Sequence, residues 1–292
     1  MDRTTDLSAN HPISATVGAD PAESFRKSAD IRRKIKKYKT LYVFILPALV
    51  WYVVFEYIPI YGITLSVRDF HFQELLFSPI ADPWYKYFRD FFNYFLFWEI
   101  IKNTLVVSIG SLVIGFPAPI ILALLLNEVK NVKFKRTIQT VSYLPHFVSW
   151  VIVVALMQAL LSPYDGIINY VRELMGFDAV FYMGEREYFY PLLFGSRVWK
   201  SVGWGAIIYL AALSAVNVEL YDAATIDGAG RFQQMRYVSL PAIKPTIAIL
   251  LILNMGNLLN AGFDQIFLMK HPANSELAMV LDIYIIEKGL QG

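Results

Sequence analysis

Five apolar stretches, each long enough to cross a lipid bilayer, constrain this chain more than any other feature of its sequence. A transmembrane helix needs roughly 20 mostly apolar residues. Charged residues make up only 17% of the chain, against about 25% in soluble domains. Spans in hydrocarbon must be helical, because a backbone polar group left unpaired there costs several kcal/mol. We therefore expect an all-α integral membrane protein with five visible spans, at about 41–67, 104–126, 141–161, 190–216 and 241–263.

Lysine and arginine residues predict the orientation of these spans. A dense basic run lies between Arg26 and Lys39, just before the first span, and another occupies residues 130–136, after the second span. Loops rich in these residues stay on the cytoplasmic side of the membrane, and both runs fall on the same side of a five-span chain. The sequence thus predicts a cytoplasmic basic tail over 1–38, a membrane domain over 39–292, and a cytoplasmic segment between the fourth and fifth spans.

The last part of the chain has the pattern of an interfacial helix. Apolar residues recur at helical spacing from Glu276 onward, but Asp282, Glu287 and Lys288 interrupt them. Charged groups at the bilayer centre are costly, so we expect this segment to lie along the membrane on the outer side.

The predicted cytoplasmic segment 217–240 begins with the signals of a short helix. Asn217 is a typical N-cap residue. Leu220, Ala223 and Ile226 recur every three residues and would form one apolar stripe along the helix. Such a stripe on a polar loop indicates a surface that docks into another protein.

Glycine and proline residues predict where this small helical hairpin turns and ends. Gly228 and Gly230 can end the first helix and allow a sharp turn. A second short helix would follow and stop at Pro241, where the fifth span begins. Ala223 and Ala224 have small side chains, so the groove of a partner could close on the backbone at this point.

These residues resemble the EAA loop of ABC importer permeases, whose pattern is E-A-A-x3-G-x9-I-x-L-P. The departures are conservative, since Asp222 stands in place of Glu and Val238 in place of Ile. In that family the loop forms the coupling helix that sits in a cleft of the ATPase subunit. The resemblance therefore implies a set of coupling residues: Glu219, Asp222, Ala223, Ala224, Gly228, Leu240 and Pro241.

The resemblance extends beyond this loop, to the permeases for polysaccharides and complex oligosaccharides, among them alginate-type importers. It is carried by SYLPHFVSWVIV at 142–153, by the Asn103-Thr104 pair, and by two segments near the end of the chain, at 262–274 and 280–290. It implies the helical bundle of a type I ABC importer permease in the bacterial inner membrane. It also implies a sixth span beyond Gly292, since members of that branch continue into one more helix.

The chain has no nucleotide-binding motif of its own. A P-loop needs the pattern G-x-x-x-x-G-K-[ST] to hold phosphates and magnesium, and no Gly-Lys pair occurs in the sequence. We therefore expect no ATPase activity and no bound cofactor in this chain, with ATP and Mg²⁺ bound by partner ATPase subunits.

The resemblance implies three further partners, namely a second permease subunit that is usually a paralogue, an extracytoplasmic solute-binding protein, and an oligosaccharide substrate. A net charge of +2 gives no support for a nucleic-acid partner, and no His or carboxylate pair at ligand spacing predicts a metal site.

Three asparagines in the fifth span are candidates for the substrate pathway. Asn254, Asn257 and Asn260 follow one another at intervals of three, so they would share a face of a helix. Their amides can both donate and accept hydrogen bonds, which suits sugar hydroxyls. Hydrogen bonding between helices is an equally good interpretation.

Three charged residues within the spans complete the candidate pathway. Arg197 and Lys200 in the fourth span would either attract a carboxylated sugar or extend to the outer interface, the second being favoured. Glu56 in the first span would lie near the outer boundary or pair with one of them.

Two other kinds of protein would also carry polar groups within spans. An ion-coupled secondary transporter would explain Glu56, but not the EAA-like loop. A membrane-embedded enzyme would need paired carboxylates or histidines at a cavity, and the spans offer little beyond Glu56. An ABC permease for an amino acid or a metal would have the same loop. What favours a sugar is the aromatic-rich loop at 70–104, predicted to lie outside, together with the oligosaccharide-like segments.

Overall fold

A computed structural model describes residues 37–71, 73–74 and 77–291. Apart from one isolated antiparallel bridge between Arg68 and Ile80, the regular structure of the described residues is helical. The described residues fall into two compact units, which divide between Phe92 and Asn93. The first unit contains α1 (Lys39–Val67) and α2 (Lys86–Phe92). The second contains α3 (Phe97–Asn127), α4 (Val132–Phe147), α5 (Trp150–Leu161), α6 (Ile167–Leu174), α7 (Arg186–Ser214), α8 (Val218–Ile226), α9 (Arg231–Met255), α10 (Phe263–Met269), α11 (Ser275–Ala278) and α12 (Leu281–Gln291).

The first unit consists of one long apolar helix and an aromatic-rich loop that leads to α2. α1 has 29 residues, enough to cross a bilayer, and its most apolar stretch is exposed. In the loop, Lys86 pairs with Asp69 at 2.8 Å, and the Tyr87 hydroxyl donates to the same carboxylate. The hydrogen bonds from Lys86 and then Tyr87 lower the pKa of Asp69 below its ordinary value. The basic tail predicted over 1–38 lies almost wholly outside the described residues.

Two apolar clusters form the core of the second unit, and α7 contributes to both. One lies where α7 begins and the other where it ends, so the middle of α7 runs between them. The first cluster contains Val107, Val154, Met183, Phe189, Leu193, Ala261, Ile266, Met269, Ala278, Val280 and Ile283. The second contains Ile120, Ala123, Leu124, Ala206, Tyr209, Leu213 and Ile243.

The third apolar stretch, expected at 141–161, is a broken helix. α4 and α5 meet at an angle of 102°, because Val148 and Ser149 have extended backbone angles. The Ser149 hydroxyl then accepts from the N–H of Ile152 and caps the start of α5. Two local signals in the sequence accompany this break, namely Pro145 and the capping residue Ser149.

The hairpin prediction was wrong about Pro241. α9 starts at Arg231 and continues through Pro241 to Met255 as one helix. Proline in a helix lacks an N–H and clashes with the carbonyl four residues earlier, and here a wider π-helical turn over Met235–Ser239 directly precedes it. Such turns change the hydrogen-bond register of a helix, which lets α9 pass the proline without stopping.

The segment that leads into α12 packs against α3 and the end of the fifth apolar stretch. The Leu281 N–H donates to Thr104 Oγ1 at 2.9 Å, and Asn103 Nδ2 donates to the Glu276 carbonyl at 2.6 Å. The Asp282 carboxylate accepts from the N–H of Ala261 at 3.0 Å. Asn103 and Thr104, part of the resemblance noted above, thus hold this segment against α3.

Candidate functional site

α8 is capped at its start as the sequence predicted. The Asn217 Oδ1 atom accepts from the Glu219 N–H at 3.1 Å, and its Nδ2 donates to the Glu219 carboxylate at 3.0 Å. An acidic side chain in the first turn also interacts favourably with the positive end of the helix dipole. Glu219 therefore stabilises the start of α8, whatever else it contacts.

Gly228 ends α8 in a Schellman motif. The N–H of Gly228 donates to the Thr225 carbonyl at 3.0 Å, and the N–H of Ala229 donates to the Ala224 carbonyl at 2.8 Å. The motif needs a left-handed residue after the helix, and Gly228 has φ +77°. This confirms that Gly228 ends the helix. Gly230 then begins α9, with its N–H donating to Gln233 Oε1 at 2.7 Å.

Two side-chain hydrogen bonds fasten α8 to the start of α9. The Tyr221 hydroxyl lies 2.9 Å from the Oγ of Ser239, which is fully buried. One turn further on, Gln234 Nε2 donates to Thr225 Oγ1 at 3.0 Å. Since both bonds join the inner face of α8 to α9, we expect the two helices to move together.

The opposite face of α8 is apolar and exposed. Leu220 is 52% exposed and Ile226 87% exposed, and Ala223 between them is also exposed. The predicted stripe therefore exists, and nothing within the described part of the chain covers it. Asp222 is exposed beside it, while Ala224, Leu240 and Pro241 are half-buried.

A cavity of about 460 Å³, lined by both polar and apolar side chains, lies beside the middle of α7. One face of α7 forms its wall, with residues 197, 201, 204, 205 and 208 recurring at helical spacing. Tyr209 of α7 also lines the cavity, and the remaining lining residues come from α3, from the α4–α5 break, from the end of α9 and from the segment after α9: Ser108, Ser111, Leu112, Gly115, Phe116, Pro119, His146, Leu250, Asn254, Asn257, Leu258 and Asn260.

The three asparagines share this cavity, although only the first belongs to a helix. α9 ends at Met255, eight residues before the expected end of the span. The N–H of Asn257 donates to the Asn254 carbonyl at 3.1 Å, and that of Asn260 to the Asn257 carbonyl at 3.0 Å. Turns of three residues keep i and i+3 on one side. The hydrogen bonds of their side chains go to neighbouring backbone atoms, and their predicted role in the substrate pathway stays a prediction.

Arg197 is held inside the second unit and does not extend to the interface, contrary to the favoured expectation. Its Nε donates to Gln265 Oε1 at 2.9 Å, one Nη to Ser111 Oγ at 2.5 Å, and the other Nη to the Ala261 carbonyl at 3.0 Å. Gln265 is itself fixed by a hydrogen bond from its Nε2 to the Leu193 carbonyl at 2.9 Å. The guanidinium thus has a defined position on the cavity wall.

Lys200 has a structural partner that the sequence did not reveal. Its Nζ donates to the carbonyls of Pro145, His146 and Val148 at 3.4, 2.7 and 2.5 Å. These carbonyls lie at the α4–α5 break, where the end of a helix leaves carbonyls short of backbone partners, and the Pro145 carbonyl also accepts from the N–H of Val148 at 3.2 Å. Lys200 therefore stabilises the bend, and the His146 ring, stacked on Trp204 at 4.5 Å, packs beside it.

Glu56 lies in the other unit, on a π-helical turn of α1, where its side chain is exposed. It forms no ion pair with any residue that the structure describes. Within the same residues, no group of three or more metal-ligating side chains comes together.

Long apolar helices around a cavity with polar groups in its wall, together with α8 fastened to the start of α9, are what a membrane transport subunit requires. The chain belongs to the family described as the inner membrane component of binding-protein-dependent transport systems, whose model matches residues 115–285. The Bacillus subtilis protein LplB is 39% identical over 262 residues, which cover 88% of this chain and 80% of LplB.

A second relative and two solved structures extend this comparison. The polygalacturonan/rhamnogalacturonan transport system permease protein YteP of Bacillus subtilis is 41% identical over 95% of this chain and 87% of YteP. A bacterial ABC transporter involved in the import of the acidic polysaccharide alginate has a chain that superposes with a TM-score of 0.80 and 38% identity, over 90% of this chain and 88% of that chain. A second structure of a bacterial alginate ABC transporter, in complex with an alginate pentasaccharide-bound periplasmic protein, matches with a TM-score of 0.79 and 38% identity, over 89% of this chain and 86% of that chain.

Proposed function

We propose that this chain is the permease subunit of an ATP-driven importer that passes an oligosaccharide across the bacterial inner membrane. The observation that carries the proposal is the exposed apolar stripe of α8, on a helix that is braced to α9. Exposed apolar surface on a short projecting helix is typical of a site for a protein partner. Family membership supports a transport role for that partner.

The partner that docks on α8 is a separate ATPase subunit. The positive-inside rule places α8 on the cytoplasmic side, where ATP is available. ATP and Mg²⁺ bind to that subunit, because this chain lacks a P-loop.

Movement of α8 reaches the cavity through α9. The bonds from Tyr221 and Thr225 of α8 join it to the start of α9, and the other end of α9 provides Leu250 and Asn254 to the cavity wall. A rigid helix can transmit displacement over its length, so a shift of α8 with the ATPase would change the shape of the cavity. The substrate would then meet a cavity open alternately to each side.

The names of relatives support an oligosaccharide as the cargo. YteP is named for polygalacturonan and rhamnogalacturonan, and a structural neighbour for alginate. The neighbour that holds a sugar-bound periplasmic protein supports delivery by a solute-binding protein here too. A second permease subunit, paralogous to this chain, would complete the pathway.

Co-purification tests the ATPase partnership directly. The tagged full-length chain is extracted from native membranes in mild detergent and compared with Ala223→Glu and Ala223→Ser. Because Ala223 lies on the exposed stripe, the charged variant should lose the ATPase subunit, while the small serine variant should retain it. Thermal stability of the two variants should match, since Ala223 is exposed.

Two results would contradict the proposal. One is a wild-type chain that purifies with no nucleotide-hydrolysing subunit. The other is uptake of substrate into vesicles that continues without ATP and follows an ion gradient instead, as expected for a secondary transporter.

A further inference from the structure

The cavity wall carries a positive charge, Arg197, that no acidic side chain among the described lining residues matches. Arg197 remains protonated under all physiological conditions. In the described part of the chain, no carboxylate forms an ion pair with it. Asp282 accepts from the N–H of Ala261, whose carbonyl accepts from Arg197, but the carboxylate does not contact the guanidinium. A charge removed from water without a counter-charge is costly, so this site favours an anion.

Arg197 also has hydrogen-bonding capacity left over. A guanidinium has five N–H donors, and three of those on Arg197 have acceptors among the described residues. Lys200, one turn further along α7, provides a contrast. Its ammonium has three donors, and three carbonyls accept from them. Arg197 can therefore bind a ligand while it keeps its own position, whereas Lys200 is fully occupied.

Ser108 provides a second, independent sign of a ligand site. Its side chain is only 7% exposed, and its Oγ has no hydrogen-bond partner among the described residues. A buried hydroxyl without a partner is destabilising, and Ser108 lines the same cavity as Arg197. A polyhydroxylated ligand in the cavity would satisfy it, and the three asparagines offer further amide groups to such a ligand.

We propose that this cavity is a subsite for a carboxylated sugar unit, and that Arg197 makes the permease favour acidic over neutral oligosaccharides. The inference rests on the proposed function and specifies its substrate class. Guanidinium and carboxylate groups form charge-assisted, paired hydrogen bonds. Sugar hydroxyls would bind Ser108 and the asparagines. The contacts to Ser111, Gln265 and Ala261 hold the guanidinium in place before the sugar arrives.

The test uses the complete transporter in liposomes, with its ATPase, second permease and solute-binding protein. Uptake is measured for short oligogalacturonates and oligoalginates and for their uncharged methyl esters. The solute-binding protein is the same throughout, so any change in the acid-to-ester ratio reports on the permease. The variants are Arg197→Gln and Arg197→Lys, with Lys200→Gln as the control, because it removes the same charge from the same helix.

We expect Arg197→Gln to lower the acid-to-ester ratio at least about tenfold, which corresponds to 1.4 kcal/mol. Arg197→Lys should give an intermediate acid-to-ester ratio, because lysine retains the positive charge but cannot form the paired hydrogen bonds of a guanidinium. It also keeps the proposal testable if the glutamine variant fails to assemble. Lys200→Gln should leave the ratio unchanged, whatever it does to the absolute rate.

Three outcomes overturn the inference, and one overturns the proposed function. A ratio that is unchanged in Arg197→Gln, a ratio that falls equally in Lys200→Gln, or a wild-type transporter that moves only the esters would each refute the role of Arg197. In those cases an oligosaccharide permease remains. A wild-type complex that moves neither acids nor esters would instead refute the oligosaccharide assignment itself.

Discussion

A close contact between α4 and α7 at Gly203 gives a sharp prediction, the effect of Gly203→Ala. Gly203 lies in α7, where the backbone of α4 passes directly over it. A Cβ atom at this position would lie 2.1 Å from the Ser142 carbonyl oxygen and 2.3 Å from the carbonyl carbon. Both atoms belong to a backbone, so no side-chain rotation can relieve the clash. The helices would have to separate by about 0.9 Å to bring the shorter distance to 3.0 Å, the lower limit for a real Cβ contact.

The cost of this separation can be estimated. Overpacking in a core costs typically about 1–3 kcal/mol, and occasionally more. A clash between two backbones belongs at the upper end of that range. Replacing glycine by alanine inside a helix recovers roughly 0.5–1 kcal/mol, which leaves a net loss of about 2 kcal/mol. At about 2–4 °C per kcal/mol for chains of this size, the apparent Tm of the detergent-solubilised protein should fall by roughly 4–8 °C.

Gly195→Ala is the matched control, since it makes the same change in the same helix. An added Cβ at Gly195 would meet nothing within 4 Å, so its Tm should be unchanged or slightly higher. Equal Tm values for the two alanine variants, measured by thermal unfolding monitored with size-exclusion chromatography, would refute the close approach of α4 and α7. The same separation would also move the α4–α5 break that Lys200 stabilises. The loss of uptake by Gly203→Ala should therefore exceed the loss that its lower Tm alone would cause.

Three further predictions concern the end of α8, the attachment of α8 to α9, and the Asp69–Lys86 pair. Gly228→Ala should raise hydrogen exchange of the amides at the end of α8 about tenfold or more, because a Cβ in the left-handed conformation costs about 1–2 kcal/mol. An unchanged exchange rate would show that the Schellman motif does not form. Tyr221→Phe removes the partner of the buried Ser239 hydroxyl, at a cost of about 1–3 kcal/mol. It should reduce substrate-stimulated ATP hydrolysis by the complete transporter. Full stimulation would contradict the role of the Tyr221–Ser239 hydrogen bond in joining α8 to α9. Asp69 should titrate below its ordinary pKa of about 3.8, so its pair with Lys86 is complete above that pH and is lost only as the pH falls through the lower value. NMR titration of the carboxyl carbon should show this, and Lys86→Met should raise the pKa towards the ordinary value.

Sequence patterns predicted the features that depend on local chemistry. Asn217 caps α8 because an asparagine side chain can reach the N–H two residues on, whatever surrounds it. Gly228 ends the helix because only glycine adopts its left-handed backbone without strain. The helical membrane fold followed similarly from the length of the apolar runs.

Features that depend on contacts between distant segments could not be predicted in this way. The residues at 141–161 are mostly apolar, so hydrophobicity alone did not distinguish a straight span from the 102° bend. The sequence favoured a Lys200 side chain that extends to the membrane interface, because the three carbonyls that it binds lie more than 50 residues away along the chain. Pro241 appeared to end a helix, since a π-helical turn that accommodates a proline leaves no simple pattern in sequence.

The most direct test of the whole account is the accessibility of α8 in intact membranes. The chain contains no cysteine, so Ala224→Cys provides a single reactive position without background. A membrane-impermeant maleimide should label it in inside-out vesicles but not in right-side-out vesicles, and a short cross-linker should join it to the ATPase subunit. Labelling from the periplasmic side, or the same reactivity with and without the ATPase present, would contradict the role of α8 as the coupling helix.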